Sequence, residues 1–322
     1  MTPDLLNPNC ILCDNQHRKR NLSNGLCRIV KSVDDDLPVR CVGPWAKEKI
    51  DYLRKYLNAF STSMKSNVWD ALNYIEICSG PGLCINRKTR REFNGTALAI
   101  LDSVIPDHVT NVVFCDIDEL VLQTLENRVF EHLKKYYPDR YDTLFNKFHF
   151  LLGSYEDNSI SDAVCQVVCN SGRNPLSLTF IDPTDLSVPF HFIETLLTTY
   201  RSDLLLNFAF GTDFKRNIVK AIKETSHSGV KDKYSTFIGN RDFIDRKDVL
   251  DAAERNDLDE LLQLFNNEYA KMLRSINLPF IDFEQIKHFY YLLFASQNEF
   301  GLKLWKRSHS IGANDERTIS FD

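Results

Sequence analysis

The 322-residue chain lacks a long apolar segment, a basic leader and a net positive charge. Its longest apolar runs, such as residues 204–210, fall short of the roughly 20 residues that a membrane-spanning helix needs. The N-terminus carries no basic segment followed by an apolar core, so we expect a cytoplasmic protein with no secretory signal and no membrane partner. Because the formal net charge is -5, contact with nucleic acid has to come from a local patch.

The sequence also lacks a disulfide pattern, although it contains nine cysteines, an odd number. Cys10 and Cys13 form a single C-x-x-C, and Cys27 and Cys41 follow at wider spacing. Four thiolates can hold a tetrahedral zinc ion that organises a segment with little core of its own, and His17 can replace one of them. This zinc site is one prediction, and ordinary reduced thiols are the alternative because a second C-x-x-C is missing.

The chain divides into an irregular arm, residues 1–43, and an alternating α/β region, residues 44–322. The arm shows no sustained periodicity and is predicted to be rich in loops. After Pro44, apolar residues recur at helical spacing, and strand and helix patterns then alternate. The predicted strands are 74–77, 111–118, 148–152, 176–182 and 203–208, and the helices between them are 95–104, 119–136, 159–172 and 190–200. Such alternation predicts a mostly parallel sheet covered on both faces.

The sequence pattern in the last third of the chain predicts a helical insert and a C-terminal hairpin. Residues 214–286 are charged and mostly of helical pattern, which indicates a helical insert. Residues 289–296 and 301–305 are strand-like runs with a short link between them. We therefore expect an antiparallel C-terminal hairpin at the edge of the sheet.

Ligands of open parallel sheets bind beyond the carboxyl ends of the strands, and the first strong strand runs through Glu76 into the turn SGPG. Gly80 and Gly82 remove side chains that would keep a ligand from the backbone, and Ser79 lies beside them. These residues are candidates for cofactor binding. A tight turn without a ligand is the alternative, since a lone glycine pair is a weak signal.

Polar residues follow the next two strands as well. Asp116 ends the second strand, where a carboxylate can bind the hydroxyl groups of a ribose. Asp118 is expected to cap the helix that begins at residue 119. Ser154 follows the third strand, where it can contact an adenine edge or instead cap the next helix.

Asp182 and Pro183 follow the fourth strand and form the strongest local signal. A carboxylate at the end of a buried strand costs free energy unless it is paired, which favours a functional role. The four turns occur in the order expected of a Rossmann-like, class I methyltransferase fold that uses S-adenosylmethionine. In that fold Asp182 would face the reacting methyl group, and the terminal hairpin would supply the last two strands.

The sequence resembles the three-Cys-motif partner protein family (TcmP) over most of its length. The segments that carry the likeness are DLPVRCVGPWAKEKIDYLRKYL (36–57), YIEICSGPG (74–82), NGTALAIL (94–101), FIDPTDL (180–186), DLLLNFAFGTDFKRNI (203–218) and YYLLFASQNEFGLKLW (290–305). The family is regarded as methyltransferase-like and is named for a genomic partner that bears three cysteines. The resemblance therefore implies a transferase fold and a protein partner.

In its Asp-Pro stretch the family resembles amino-group methyltransferases, in which the acid and a backbone carbonyl accept hydrogen bonds from the target amine. This implies amino-group methylation of DNA or RNA, with Asp182 and Pro183 as catalytic residues, although DPTD lacks the aromatic residue that would stack a flipped base. Lys215 and Arg216 are candidates to bind a phosphate backbone, or are part of a solvated helix face. The alternative function is a catalytically silent binding partner of another protein that acts on nucleic acid.

Overall fold

The computed structural model of the chain describes residues 5–13, 21–23, 26–64, 68–102, 105–223, 228–286 and 290–310. The strands, in chain order, are β1 (Leu22–Ser23), β2 (Leu26–Lys31), β3 (Pro38–Val42), β4 (Ala71–Ile77), β5 (Leu83–Asn86), β6 (Glu92–Asn94), β7 (Asn111–Asp116), β8 (Phe148–Leu152), β9 (Pro175–Ile181), β10 (Ser202–Phe208), β11 (Phe280–Ile286) and β12 (Tyr290–Ser296). The α-helices are α1 (Ala46–Ser63), α2 (Thr96–Ala99), α3 (Ile105–His108), α4 (Glu119–Tyr136), α5 (Tyr141–Phe145), α6 (Asn158–Cys169), α7 (Phe190–Thr199), α8 (Lys215–Lys223), α9 (Ser228–Ile238), α10 (Lys247–Glu254), α11 (Leu258–Ser275) and α12 (Glu299–Ser310). Within these ranges, no helix combines the length and apolar character needed to cross a membrane.

Seven strands form the larger sheet, in the order β11, β12, β10, β9, β4, β7, β8. The five strands from β10 to β8 are parallel, whereas β12 is antiparallel to both of its neighbours, β10 and β11. Numbered 1 to 7 along the chain, these strands lie in the order 3, 2, 1, 4, 5, 7, 6 when the sheet is followed from its β8 edge. The order and the single reversed strand confirm the predicted class I methyltransferase fold, a Rossmann-like α/β architecture.

The two faces of this sheet are covered by different helices, because successive side chains of a strand point to opposite faces. Every residue of β4 is buried, as expected of a central strand with an apolar run. Tyr74 belongs to an apolar cluster that includes Leu53 of α1 and Leu125 of α4. Its neighbour Ile75 belongs to the cluster on the other face, which includes Val164 of α6 and Leu196 of α7.

A second sheet contains the N-terminal arm, in the order β1, β2, β3, β5, β6. The arm, which was predicted to be rich in loops, contributes three strands to this sheet, and its β3 pairs in parallel with β5, just after the glycine turn. The predicted helix over 95–104 is also shorter, with one turn at Thr96–Ala99. The residues between the glycine turn and α2 form the β5–β6 hairpin. This hairpin pairs with β3, which comes from a distant part of the sequence.

The antiparallel C-terminal pair exists, but it consists of β11 and β12. Residues 301–305, predicted as its second strand, belong to α12, where Leu304 and Trp305 are buried against the sheet. The helical insert correspondingly ends at Ser275, and Phe280–Ile286 is a strand. A short apolar run fits either a strand or one face of a helix, so periodicity could not separate the two.

Candidate functional site

A cavity of about 630 Å³ lies at the carboxyl ends of β4, β7, β9 and β10. Its volume is typical of small-molecule sites, which range over roughly 300–1,000 Å³. The predicted site residues that line it are Cys41, Ser79, Gly80, Gly82, Asp116, Asp182, Pro183 and Arg216. The fold thus brings together residues that the sequence spreads over more than a hundred positions.

The glycine turn has a left-handed backbone at three alternate residues, with φ of 65° at Cys78, 68° at Gly80 and 86° at Gly82. Cys78 bears a side chain in this conformation, which costs about 1–3 kcal/mol and marks a strained position at the cavity wall. A Cβ at Gly82 would lie 2.9 Å from Leu98 Cγ, so packing also requires glycine there. At Gly80 the nearest atom to such a Cβ would be Arg40 Nη1, at 3.1 Å.

Asp116 contacts the glycine turn, whereas Asp118 caps a helix. The Gly80 N–H donates to Asp116 Oδ2 at 3.0 Å, and the Asp118 N–H donates to Asp116 Oδ1 at 3.2 Å. Each oxygen of Asp116 therefore keeps a lone pair for a ligand. Asp118 accepts hydrogen bonds from the N–H groups of Leu120 and Val121, and so caps α4.

Asp182 is held by two residues that the sequence did not indicate. Lys49 of α1 places Nζ 2.6 Å from both carboxylate oxygens. Asn207 of β10 donates from Nδ2 to Asp182 Oδ1 at 2.7 Å. Both members of the ion pair are largely buried, with side-chain exposure of 13% for Lys49 and 12% for Asp182. One signal for Lys49 was available, since it lies one helical turn after Trp45 on the buried side of α1.

Asn207 carries an unpaired polar atom at the cavity. Its side chain is 2% exposed and lines the cavity, while Oδ1 is buried and has no hydrogen-bond partner among the described residues. A buried acceptor without a partner costs about 1–3 kcal/mol. Such an atom is therefore suited to a ligand that brings its own N–H or O–H group.

Arg40 of β3 brings a positive charge from the arm to the glycine turn. Burial alone lowers its pKa, but the nearby carboxylates of Asp182 and Asp116 outweigh that effect and raise the pKa of Arg40. The guanidinium is therefore always charged. Residues of the arm, including Arg40, line the cavity, so the arm forms one wall of it.

Arg128 of α4 ties the arm to the glycine turn. Its guanidinium donates to both oxygens of Asp35, at 2.7 and 2.9 Å, and to the carbonyl oxygens of Pro38, at 2.8 Å, and Pro81, at 2.6 Å. Burial alone would raise the pKa of Asp35, but its bonds to Arg128 lower it. The side chain of Arg128 is 4% exposed, so these bonds are shielded from water.

Three of the residues predicted to bind cofactor or substrate lie away from the cavity wall. Glu76 is fully buried behind the glycine turn, where it accepts hydrogen bonds from the hydroxyl groups of Tyr74 and Thr96, and burial raises its pKa to about 8. Ser154 Oγ accepts the Glu156 N–H at 3.1 Å in a local turn. Lys215 is exposed at the start of α8, whereas its neighbour Arg216 faces the cavity.

The predicted zinc site finds no support. Within the described ranges, no group of three or more Cys, His, Asp or Glu side chains is arranged to hold a metal ion. The cysteines concerned, Cys10, Cys13, Cys27 and Cys41, are reduced. Burial, and then the other three thiols, raise the pKa of Cys10 to about 11, and its Sγ is directed at the Ile11 carbonyl. Residue 17 lies outside the described residues.

The chain matches no known family model and no curated protein sequence. Solved structures overlap with it weakly. A protein from Legionella pneumophila str. Philadelphia 1 has a TM-score of 0.40 at 9% identity, covering 81% of this chain and 90% of its own. The plantazolicin methyltransferase BamL, in complex with a desmethylPZN analog and SAH, has a TM-score of 0.33 at 10% identity, covering 79% and 88%.

Human N-acetylserotonin methyltransferase, in complex with SAM, has a TM-score of 0.30 at 12% identity, covering 75% of this chain and 54% of its own. Overlaps this weak carry no inference about what the present chain binds. The assignment of the fold rests on the strand order described above.

Proposed function

We propose that the chain is an S-adenosylmethionine-dependent methyltransferase that modifies an amino group of a nucleic acid, and that it is related to the three-Cys-motif partner proteins it resembles. One arrangement carries the proposal. Asp182, held by Lys49 and Asn207, faces the same cavity as the glycine turn and Asp116. An oriented carboxylate beside a nucleotide-type turn is suited to group transfer from an adenosyl donor.

The residues present fit the donor at three points. Asp116 retains a lone pair on each oxygen for the ribose hydroxyl groups. Ile117 follows β7, lines the cavity and is 64% exposed, so it offers an apolar surface to an adenine ring. Arg40, above Gly80, offers a cation to the carboxylate of the donor's amino-acid end. When bound, S-adenosylmethionine would supply an electrophilic methyl group.

The opposite side of the cavity suits an amine. Asp182 Oδ2 accepts one hydrogen bond, from Lys49, and keeps a lone pair, while the neighbouring Asn207 Oδ1 is unpaired among the described residues. Two acceptors side by side can each take one N–H of an amino group. They would fix the direction of the nitrogen lone pair, so that catalysis comes mainly from positioning.

The charge around the cavity supports an anionic substrate. In the described part of the chain, four basic residues and two acidic ones line it, in a protein whose formal net charge is -5. Arg87 and Arg216 are two of these basic residues, and neither belongs to the ion pair between Lys49 and Asp182. Such a local patch can contact phosphates even where the overall field is negative.

Titration calorimetry with S-adenosylhomocysteine, the demethylated donor, tests this function. We expect a Kd below about 1 mM for the wild-type chain. Asp116→Ala should weaken it at least tenfold, about 1.4 kcal/mol. Asp118→Ala is the matched control, because it removes a helix cap and should cost about 1 kcal/mol of stability without changing the Kd. No binding by the wild-type chain would end the proposal.

A second function, a catalytically silent binding partner of a protein that acts on nucleic acid, is favoured by one observation. Lys49 engages both oxygens of Asp182, so the acid is already paired. Transfer of tritium from labelled donor to denatured DNA and to total RNA separates the two functions. Transfer that is lost in Asp182→Asn supports the enzyme. Absence of transfer together with intact binding of S-adenosylhomocysteine supports the silent partner.

A further inference from the structure

Two aromatic side chains form part of the cavity wall near the acceptor side, and we call Trp45 and Tyr290 the aromatic wall. Their ring centroids are 6.0 Å apart at an interplanar angle of 43°. The guanidinium carbon of Arg87 lies 4.6 Å from the centroid of the Trp45 ring. All three side chains line the cavity that contains Asp182 and Asn207.

The register of the sheet determines where Tyr290 stands. Asn207 of β10 is opposite Leu292 of β12. Tyr290 is two residues before Leu292, so it projects from the same face of the sheet. Because β12 runs antiparallel to β10, Tyr290 lies beyond the carboxyl end of β10, next to the amide that holds Asp182.

Trp45 is buried and packs against one side of Tyr290. It is 9% exposed, and its ring lies against the backbone of Gly43, where an added Cβ would come within 2.3 Å of the ring atoms. Tyr290 is partly exposed at the cavity. A ring that is supported on one side and open to a cavity on the other is able to stack a planar ligand.

The other tyrosine on the cavity wall is engaged elsewhere. The hydroxyl of Tyr155 is 2.6 Å from Ser187 Oγ, and its ring packs edge-on against Phe192 at 6.3 Å. It follows β8, on the side of the cavity proposed for the adenine ring. Tyr155 therefore serves as a matched aromatic control.

We propose that Tyr290, backed by Trp45, stacks the planar ring that bears the acceptor amine, and that this ring is a nucleobase. This inference rests on the proposed function, because it assigns a specificity residue to the same reaction. The turn after Pro183 has Thr184 and Asp185, so it provides no aromatic side chain. Tyr290 supplies one from a different strand, while Asp182 and Asn207 remain available for the amine.

Fluorescence anisotropy with three labelled single strands of equal length tests the assignment at one fixed salt concentration. The strands are oligo-dA, oligo-rA and an abasic strand, which has the same phosphates and no rings. We expect the wild-type chain to bind one of the adenine strands at least tenfold more tightly than the abasic strand. The preference for dA or rA then distinguishes DNA from RNA as the source of the base.

Three variants complete the test. Tyr290→Ala should abolish this base-dependent tenfold gain while leaving binding of the abasic strand unchanged, whereas Tyr290→Phe and Tyr155→Ala should keep the gain within about twofold. Equal binding of adenine and abasic strands by the wild-type chain, or an unchanged gain in Tyr290→Ala, overturns the assignment. Binding of S-adenosylhomocysteine should be the same in Tyr290→Ala as in the wild-type chain. A failure of the proposed donor site is therefore distinguished from a failure of the Tyr290 assignment.

Discussion

At the scale of single residues, Asp182 depends on a partner contributed by a distant helix. Lys49 and Asp182 are 133 positions apart in the sequence and form a largely buried ion pair. Removing one member leaves the other charge without its partner in a poorly solvated position, which costs more than the pair itself contributes. The position of the proposed catalytic acid is therefore controlled by α1.

A double-mutant cycle with Lys49→Met and Asp182→Asn measures this dependence. Each single variant should lower the free energy of unfolding, and the two effects should be non-additive by about 1–3 kcal/mol, because the residues are in direct contact. Urea unfolding provides the four values. Additive effects would show that the pair does not hold the acid.

Glu76 makes stability depend on pH in an unusual direction. Its pKa is raised, chiefly by burial, from 4.5 to about 8 in the folded chain. Between these values the folded state binds the proton that the unfolded state has lost, so stability falls as pH rises. Asp203, whose pKa is raised by burial to about 6, has the same sign but acts at lower pH.

We therefore expect Glu76→Gln to change the pH profile of unfolding between pH 6.5 and 8. As pH rises over this window, the free energy of unfolding of the wild-type chain should fall by about 1–2 kcal/mol more than that of the variant, because one pKa unit corresponds to about 1.4 kcal/mol. Urea unfolding at both pH values gives the difference. Parallel profiles would contradict a protonated Glu76 in the folded state.

At the scale of secondary-structure elements, the arm is part of the site. The pairing of β3 with β5 brings Arg40 above the glycine turn, and Arg128 of α4 fixes the same junction through Asp35 and the Pro81 carbonyl. Because the fixed carbonyl belongs to the turn itself, a displacement of the arm would be transmitted to Gly80 and Gly82. We infer that the arm acts as a structural support for donor binding.

Arg128→Met tests this coupling between elements. Loss of its buried bonds should lower the free energy of unfolding by about 3–5 kcal/mol and weaken the affinity for S-adenosylhomocysteine. Arg140→Met is the matched control, since Arg140 pairs with Asp107 on the surface, where the two side chains are 49% and 47% exposed. The control should leave the free energy of unfolding nearly unchanged, because exposed ion pairs contribute little to stability. Equal costs in urea unfolding would contradict the buried role of Arg128.

At the scale of the whole molecule, the central sheet was largely predictable from the sequence. Helix 119–136 and strand 148–152 have the predicted bounds. A long periodic segment that begins after a capping Asp118 and ends with Lys134 and Lys135 leaves little freedom for that helix. Continuous apolar runs likewise predicted the buried parallel strands, since such strands need no polar face.

What escaped prediction depends on pairing between distant segments. β5 is a strand because β3 lies beside it, and α12 is a helix because Leu304 and Trp305 pack on the core. Lys49, Asn207 and Arg40 became site residues through the same tertiary arrangement. A local pattern contains no information on which distant segment lies opposite, so composition and spacing could not indicate Asn207 and Arg40. For Lys49 the only local signal was its position one helical turn after Trp45.

The crystal structure of the chain soaked with S-adenosylhomocysteine tests the central claim most directly. We predict that the ligand occupies the cavity at the ends of β4 and β7, with its ribose hydroxyl groups within hydrogen-bonding distance of Asp116, at about 2.5–3.2 Å. Its sulfur should point toward Asp182. A ligand bound elsewhere, or a cavity that stays empty at saturating concentration, would contradict the account.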